Sequence, residues 1–194
     1  PTQPSLTLEH TTQVNADPNL LAHQAAHDPQ AFAILYDRYY SRIYNYLRYR
    51  CDDTAVVDEL TSQTFERLLS ALERYDPHRG PFEPWLFAIA RNLVTDHHRQ
   101  RWQRFLPWDA LHHLPGAEPG PEAQLIQQEN EAELWAAVNS LDHRSRDVLG
   151  LKFAARLNNR QIAELSGLSE SNVGVLLYRA VLKLRAQLAP LHKD

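Results

Sequence analysis

The run Asn159-Arg160-Gln161-Ile162-Ala163-Glu164-Leu165-Ser166-Gly167-Leu168-Ser169-Glu170-Ser171-Asn172-Val173-Gly174-Val175-Leu176-Leu177-Tyr178 has the mechanics of two short helices meeting at a tight corner. Ile162 faces inward, and the small Ala163 allows a second helix to cross closely. Gly167 stands at the corner, where a positive φ costs glycine least. Leu168 plugs that corner, and Ser169 is placed to cap the helix that follows. Val173, Leu177, Ala180 and Leu184 give this helix a buried face. The spacing is that of a helix-turn-helix, whose second helix fits the major groove of a duplex. The outer face then carries Ser171, Asn172, Gly174, Val175, Tyr178, Arg179 and Lys183, and Arg160 stands at the head of the first helix. No acidic residue follows Glu170 on the second helix, while Arg179, Lys183 and Arg185 do, which suits a phosphate-facing surface.

Working outward, a helical pattern runs from near Glu129 to Ala189, with breaks near Leu141-Asp142, Asn158-Asn159 and Ser166-Gly167, giving about four helices. Upstream, Pro107, Pro115, Gly116, Pro119, Gly120 and Pro121 crowd the segment 105–128, which reads as a flexible linker. Before it lie three amphipathic helices in 28–104. The first opens on Asp28-Pro29, a cap followed by proline at the first helical position. It repeats Phe32, Leu35, Tyr36, Tyr39, Ile43 and Tyr46 and stops near Cys51. The second runs from Thr54 to Tyr75 on Val56, Leu60, Leu68, Leu69 and Leu72. The third starts near Pro84 with Trp85, Leu86, Ile89 and Leu93 on one face. Residues 1–27 are polar and aperiodic at their start and read as a flexible tail. The expected fold is all-α: two small helical domains, 28–104 and 129–194, joined by a flexible linker.

The third helix ends in a run rich in Arg91, Asn92, Arg99, Arg101, Trp102 and Arg104, with Asp96 as its one acid. Arginines interleaved with aromatics suit single-stranded nucleic acid, through phosphate pairing and base stacking. The second helix differs: Asp58, Glu59, Gln63 and Glu66 lie beside Phe65 and Leu69, a mixed face fit to meet another protein.

Composition narrows the function classes. The chain has 194 residues, 43% apolar and 23% charged, with a formal net charge of -4. That balance argues against a protein that coats nucleic acid indiscriminately, but not against local basic patches. No apolar run approaches the roughly 18 residues of a membrane span, and no secretory leader pattern opens the chain. The single cysteine, Cys51, forms no internal disulfide, so a cytoplasmic setting is expected. His97-His98 and His112-His113 are adjacent pairs, without the i, i+4 spacing of a zinc helix, so no metal or cofactor is expected. No phosphate loop, nucleophile elbow or carboxylate pair marks an enzyme.

Asp58-Glu59-Leu60-Thr61-Ser62-Gln63-Thr64-Phe65-Glu66-Arg67-Leu68-Leu69, the loop Tyr75 to Gly80, and Pro84-Trp85-Leu86-Phe87-Ala88-Ile89-Ala90-Arg91-Asn92 through Arg99 together resemble region 2 of an extracytoplasmic-function (ECF) sigma factor of the sigma-70 family. The segment from Leu141 to Leu188 resembles region 4 of that family, in the family's order. A conventional regulator with a C-terminal helix-turn-helix accounts for the second segment but not for the run Trp85 to Arg101.

The resemblance implies a factor that binds core RNA polymerase and promoter DNA to start transcription. Asp58, Glu59, Gln63 and Phe65 would meet the β′ clamp helices. Asn92, with Tyr75, His78, Arg79 and Phe82 of the loop, would form a pocket for a flipped base of the −10 element. Arg91, Arg99 and Arg101, with Asp96 and His97 beside them, would face the opened strand. Region 4 would dock the β flap and read the −35 element as duplex through Arg160, Ser171, Asn172, Gly174, Val175, Tyr178, Arg179 and Lys183. Members of the family usually carry basic residues after the valine of the recognition helix, where this chain has Gly174 and then Leu176, so fewer phosphate contacts and a shallower salt dependence are expected. The last helix ends close to Asp194, so a regulatory extension behind region 4 is not expected. The family's usual control, a separate anti-sigma factor acting on two domains that close and separate about the linker, is expected.

Overall fold

The computed structural model describes residues 17–104 and 122–189. Among the described residues the chain forms eight α-helices and no strand. They are α1 (Pro18–Ala25), α2 (Pro29–Arg50), α3 (Thr54–Ala71), α4 (Phe82–Arg104), α5 (Glu122–Asn139), α6 (His143–Phe153), α7 (Asn159–Ser166) and α8 (Glu170–Leu188), with one 3-10 turn, Leu72–Arg74, after α3.

The sequence sets these boundaries through caps. The Asp28 carboxylate accepts from the Gln30 amide at 2.8 Å, with Pro29 at the first helical position. Asp53 does the same for Ala55 at 2.9 Å. Asp142 takes the amides of both Arg144 and Ser145, each at 3.0 Å. Asn158 and Gln161 form a reciprocal capping box at the start of α7. Helix α7 stops at Gly167, whose φ of 73° is the left-handed conformation expected at that corner, and Ser169 caps α8.

Four boundaries differ from the sequence expectation, the first being that of α3, which ends at Ala71 and passes into the 3-10 turn rather than running to Tyr75. The flexible tail proposed for 1–27 gives way to α1 at its C-terminal end, while 1–16 lie outside the described residues. Asp17-Pro18 repeats the cap-and-proline signature of Asp28-Pro29, and Leu21, Ala22 and Ala25 form a small buried stripe against α2. Helix α5 starts at Glu122, inside the segment read as linker; the rest of that linker, 105–121, lies outside the described residues. Helix α4 starts at Phe82, so Pro84 falls in its first turn, where a missing amide hydrogen costs nothing.

Helices α2, α3 and α4 share a core built on Leu35, Tyr39, Ile43, Tyr46, Leu47, Leu68, Leu86 and Phe87, all essentially without solvent contact. The C-terminal half, α5 to α8, does not stand apart from it. Val148, Leu151, Ala155 and Ile162 join the same apolar cluster as the N-terminal helices. Helix α6 lies against α2, and Gly150 permits the approach. A Cβ at that position would sit 2.9 Å from Tyr46 Cδ2 and 3.0 Å from Tyr49 Cβ.

Polar groups reinforce the docking. Asp147, 5% exposed, pairs with both Arg50 and Arg91, its Oδ2 lying 2.9 Å from Arg91 Nε, and it accepts from the Tyr46 hydroxyl at 2.8 Å. Arg146 donates to the Tyr49 carbonyl at 2.6 Å and to Asp52 at 2.7 Å. Arg42 donates to the Ala155 carbonyl and to Glu83. The two halves therefore form a closed arrangement, held by α6 against α2 and α4.

Candidate nucleic-acid interface

The loop between Tyr75 and Phe82 is built from the inside out. Asp76 accepts from the His78 amide at 2.9 Å, and the Arg79 amide donates to the Asp76 carbonyl at 3.0 Å, which closes a tight turn. His78 and Arg79 are exposed at its tip. Tyr75 and Phe82 are not: they are 7% and 0% exposed, with ring centroids 5.5 Å apart and Trp85 packed on both, at 5.0 and 5.9 Å. Phe82 has no solvent-exposed surface in this arrangement, and its ring braces the loop from within. A cleft of about 440 Å³ opens beside the loop, lined by Arg74, Tyr75, Arg79 and Trp85 on one side and by Gln161, Glu164 and Leu165 of α7 on the other.

Helix α4 carries the next set. Asn92, Arg99 and Arg101 are exposed, and Asp96 holds Arg99 at 3.0 Å. Arg91 is turned toward the C-terminal half, on Asp147. His97 is half-buried with its ring 5.8 Å from that of His98. His98 Nε2 lies 3.0 Å from the Arg50 carbonyl, which can only accept, so the ring is the tautomer protonated at Nε2. Burial, reinforced by the nearby Arg50 charge and the crowding of the His143 and His97 rings, lowers its pKa to about 4 against the favourable pull of that hydrogen bond, so His98 is neutral at ordinary pH.

On α8, Ser171, Asn172, Val175, Tyr178 and Arg179 share the open face, Tyr178 being 66% exposed. Gly174 is half-buried, and a Cβ there would meet nothing within 4 Å. Packing thus does not require glycine at 174, and the sparse charge of this face is a property of the surface itself. Lys183 is exposed as well and donates to the Ser140 carbonyl at 2.8 Å, at the end of α5. Arg160 pairs with Glu164 at 3.0 Å on the surface of α7.

Helix α3 presents Asp58 and Glu59 to solvent, and Gln63 donates to Glu59 at 2.9 Å. Phe65 is 5% exposed because Tyr36 and Tyr40 of α2 cover it, at 4.5 and 6.4 Å between centroids. Tyr36, Tyr40 and Leu69 form the accessible apolar surface around it. The sequence reading placed Tyr36 on an apolar stripe, gave Leu69 to the mixed outer face as well as to the apolar set, and did not single out Tyr40. The Tyr36-Tyr40-Tyr44 spacing, one face of a helix too wide to bury whole, was the available signal.

Cys51 is buried, and that burial pushes its thiol up to about 11, so the nucleophilic thiolate is scarce. Among the described residues no group of three or more His, Cys, Asp or Glu side chains is placed to hold a metal ion, and no helix is long and apolar enough to cross a membrane.

Comparison with known proteins matches residues 35–104 to Sigma-70 region 2 and residues 131–184 to Sigma-70 region 4. The ECF RNA polymerase sigma factor BldN of Streptomyces coelicolor is 32% identical over 172 residues, covering 88% of this chain and 65% of BldN. The RNA polymerase sigma factor CnrH of Cupriavidus metallidurans is 31% identical over 182 residues, covering 90% of this chain and 95% of CnrH. The solved structure of CnrH in complex with the cytosolic domain of CnrY superposes with a TM-score of 0.65 at 27% identity, covering 89% of this chain and 97% of that one. A helix-turn-helix behind an arginine-bearing α4, two matched regions in the family's order, and relatives aligned along almost the whole described chain lead to one conclusion: this protein belongs to the sigma-70 family, among the ECF sigma factors.

Proposed function

We propose that this sigma factor binds core RNA polymerase in the cytoplasm and directs it to a promoter at two separate places. The −10 element is taken as opened strand by the loop 75–82 and the α4 face around Asn92, Arg99 and Arg101. The −35 element is read as duplex by Ser171, Asn172, Val175, Tyr178 and Arg179 of α8. Taking a base out of the stack costs a few kcal/mol, which stacking and hydrogen bonds to the loop and the exposed α4 face offset. The polymerase clamp helices meet Asp58, Glu59 and Gln63 of α3, with Tyr36, Tyr40 and Leu69 as the apolar part of that contact. The β flap docks on the C-terminal half.

The observation that carries this reading is the union in one chain of an exposed helix-turn-helix face and a second, arginine- and amide-bearing helix face beside a loop-walled cleft. In the closed arrangement Arg91, proposed to hold the opened strand, is taken by Asp147, and α7 walls the cleft beside the loop. Polymerase binding separates the halves and frees both. Control by an anti-sigma factor that favours the closed arrangement fits this geometry, and the homologous CnrH is seen with the cytosolic domain of CnrY.

A gel-shift titration with and without core enzyme tests the reading. The isolated chain should retard promoter DNA weakly, and addition of core should produce a specific, heparin-resistant complex. Tight operator-like binding by the chain alone, unchanged by core, would instead indicate a conventional regulator.

A further inference from the structure

The loop proposed to take the flipped base is tied down by a residue outside both matched regions. Asn19 lies on α1, ahead of residues 35–104. Its Oδ1 accepts from the Tyr75 hydroxyl at 2.7 Å and from the Phe82 backbone amide at 2.9 Å. Tyr75 and Phe82 are the two ends of the loop. The amide orientation is not ambiguous, because a backbone N–H can only donate and so must face the oxygen. Phe82 opens α4, and its amide is one of the first-turn donors without a partner inside the helix, so Asn19 acts as a cap delivered from another helix. The Tyr75 hydroxyl also lies 3.1 Å from the Gly80 carbonyl, drawing the third corner of the loop to the same point.

Asn19 is itself held. The Asp17 carboxylate accepts from its backbone amide at 3.0 Å, Pro18 fixes the first turn, and Leu21, Ala22 and Ala25 anchor α1 in the core. Tyr75 and Phe82 have little freedom to shift without breaking these bonds, since Trp85 packs on both rings and Tyr39 on Phe82. His78 and Arg79 at the tip, by contrast, have only the Asp76 turn to place them.

We infer that Asn19 is a positioning residue for −10 recognition: one side-chain oxygen fixes both ends of the 75–82 loop and so sets where its tip meets the opened strand. The inference rests on the sigma reading given above. It assigns to α1, which lies outside both matched regions, a part in base selection.

The test is transcription by core polymerase and the full chain on a template library randomised across the upstream region, followed by sequencing of the transcribed templates. Asn19→Ala should lower the base preference at one or two adjacent −10 positions about tenfold, the effect of losing two modest hydrogen bonds, and leave the upstream preference read by α8 in place. Asn19→Asp keeps an acceptor toward both donors and should restore the preference. Tyr75→Phe removes one of the two bonds, should show a partial loss, and decides the matter if Asn19→Ala does not fold. An Asn19→Ala chain with unchanged preferences, an equal loss at both elements, or an Asn19→Asp chain as flat as the alanine variant would overturn the inference. A wild-type chain that enriches no template fails differently: it removes the sigma reading itself.

Discussion

Asp147→Ala should open the closed arrangement and raise the radius of gyration of the free chain while leaving its helix content intact. Asp147 is the one carboxylate shared by Arg50, Arg91 and the Tyr46 hydroxyl, and those partners all lie in the N-terminal half. Arg50 is 8% exposed, and its Nε already lacks a hydrogen-bond partner. Removing the carboxylate leaves a buried guanidinium with a hydroxyl and no counter-charge. Breaking a buried pair from one side costs about 3–5 kcal/mol, comparable to the whole net stability of many small domains. The chain has a cheaper outlet than unfolding, because undocking α6 returns Arg50 and Arg91 to water. Small-angle scattering and far-UV circular dichroism separate the outcomes, expansion with constant helicity being expected. The freed Arg91 should also tighten binding of single-stranded DNA by the chain alone. A compact variant, with a urea midpoint corresponding to less than about 1 kcal/mol of change, would show that the ion cluster does not hold the halves together.

Gly150→Ala probes the same contact without touching a charge. In an exposed helix this change stabilises by about 1 kcal/mol, because glycine loses more backbone freedom on folding. Here the added methyl would stand 2.9 Å from Tyr46 Cδ2 and 3.0 Å from Tyr49 Cβ. The Tyr46 ring is wholly buried, edge-on to Phe87 at 5.7 Å, and cannot swing aside. Overpacking of this kind costs about 1–3 kcal/mol, so the substitution should destabilise the closed chain in urea denaturation. In an Asp147→Ala background, where the halves are apart, the same change should be neutral or stabilising. That reversal of sign is a coupling between neighbouring sites and has no explanation in helix propensity alone. Equal effects in both backgrounds would mean that α6 does not press on α2 as described.

The parts of the fold that were legible in the sequence are those encoded locally. Asp28-Pro29, the break at Asn158-Asn159, Gly167 and Ser169 act within a few residues of the boundary they set, and each stands where its chemistry places it. Helix α1 carries the same Asp-Pro signature at Asp17-Pro18, but its eight residues hold only Leu20, Leu21, Ala22 and Ala25 as apolar side chains, too short a run to stand out against a polar segment. The docking of the halves left no periodic trace. Arg50, Arg91 and Asp147 are brought together across long stretches of chain, and before folding each reads as an ordinary charge on its own helix. The same holds for Asn19 and its two partners. In the candidate interface, Asn92, Asn172, Tyr178 and Arg179 fall on open faces because helical periodicity predicts them there. Phe82 does not, because a ring large enough to complete a core is claimed by the fold first, and Lys183, though exposed, also reaches the Ser140 carbonyl.

The central claim is that this chain gives core RNA polymerase a promoter specificity the core lacks. Run-off transcription on fragmented genomic DNA, with purified core and the chain supplied together or separately, measures it directly. The account predicts discrete transcripts only when both are present, starting at a small set of sites that share one upstream motif. Transcripts from core alone that the chain leaves unchanged, or a chain that never associates with core, would contradict it.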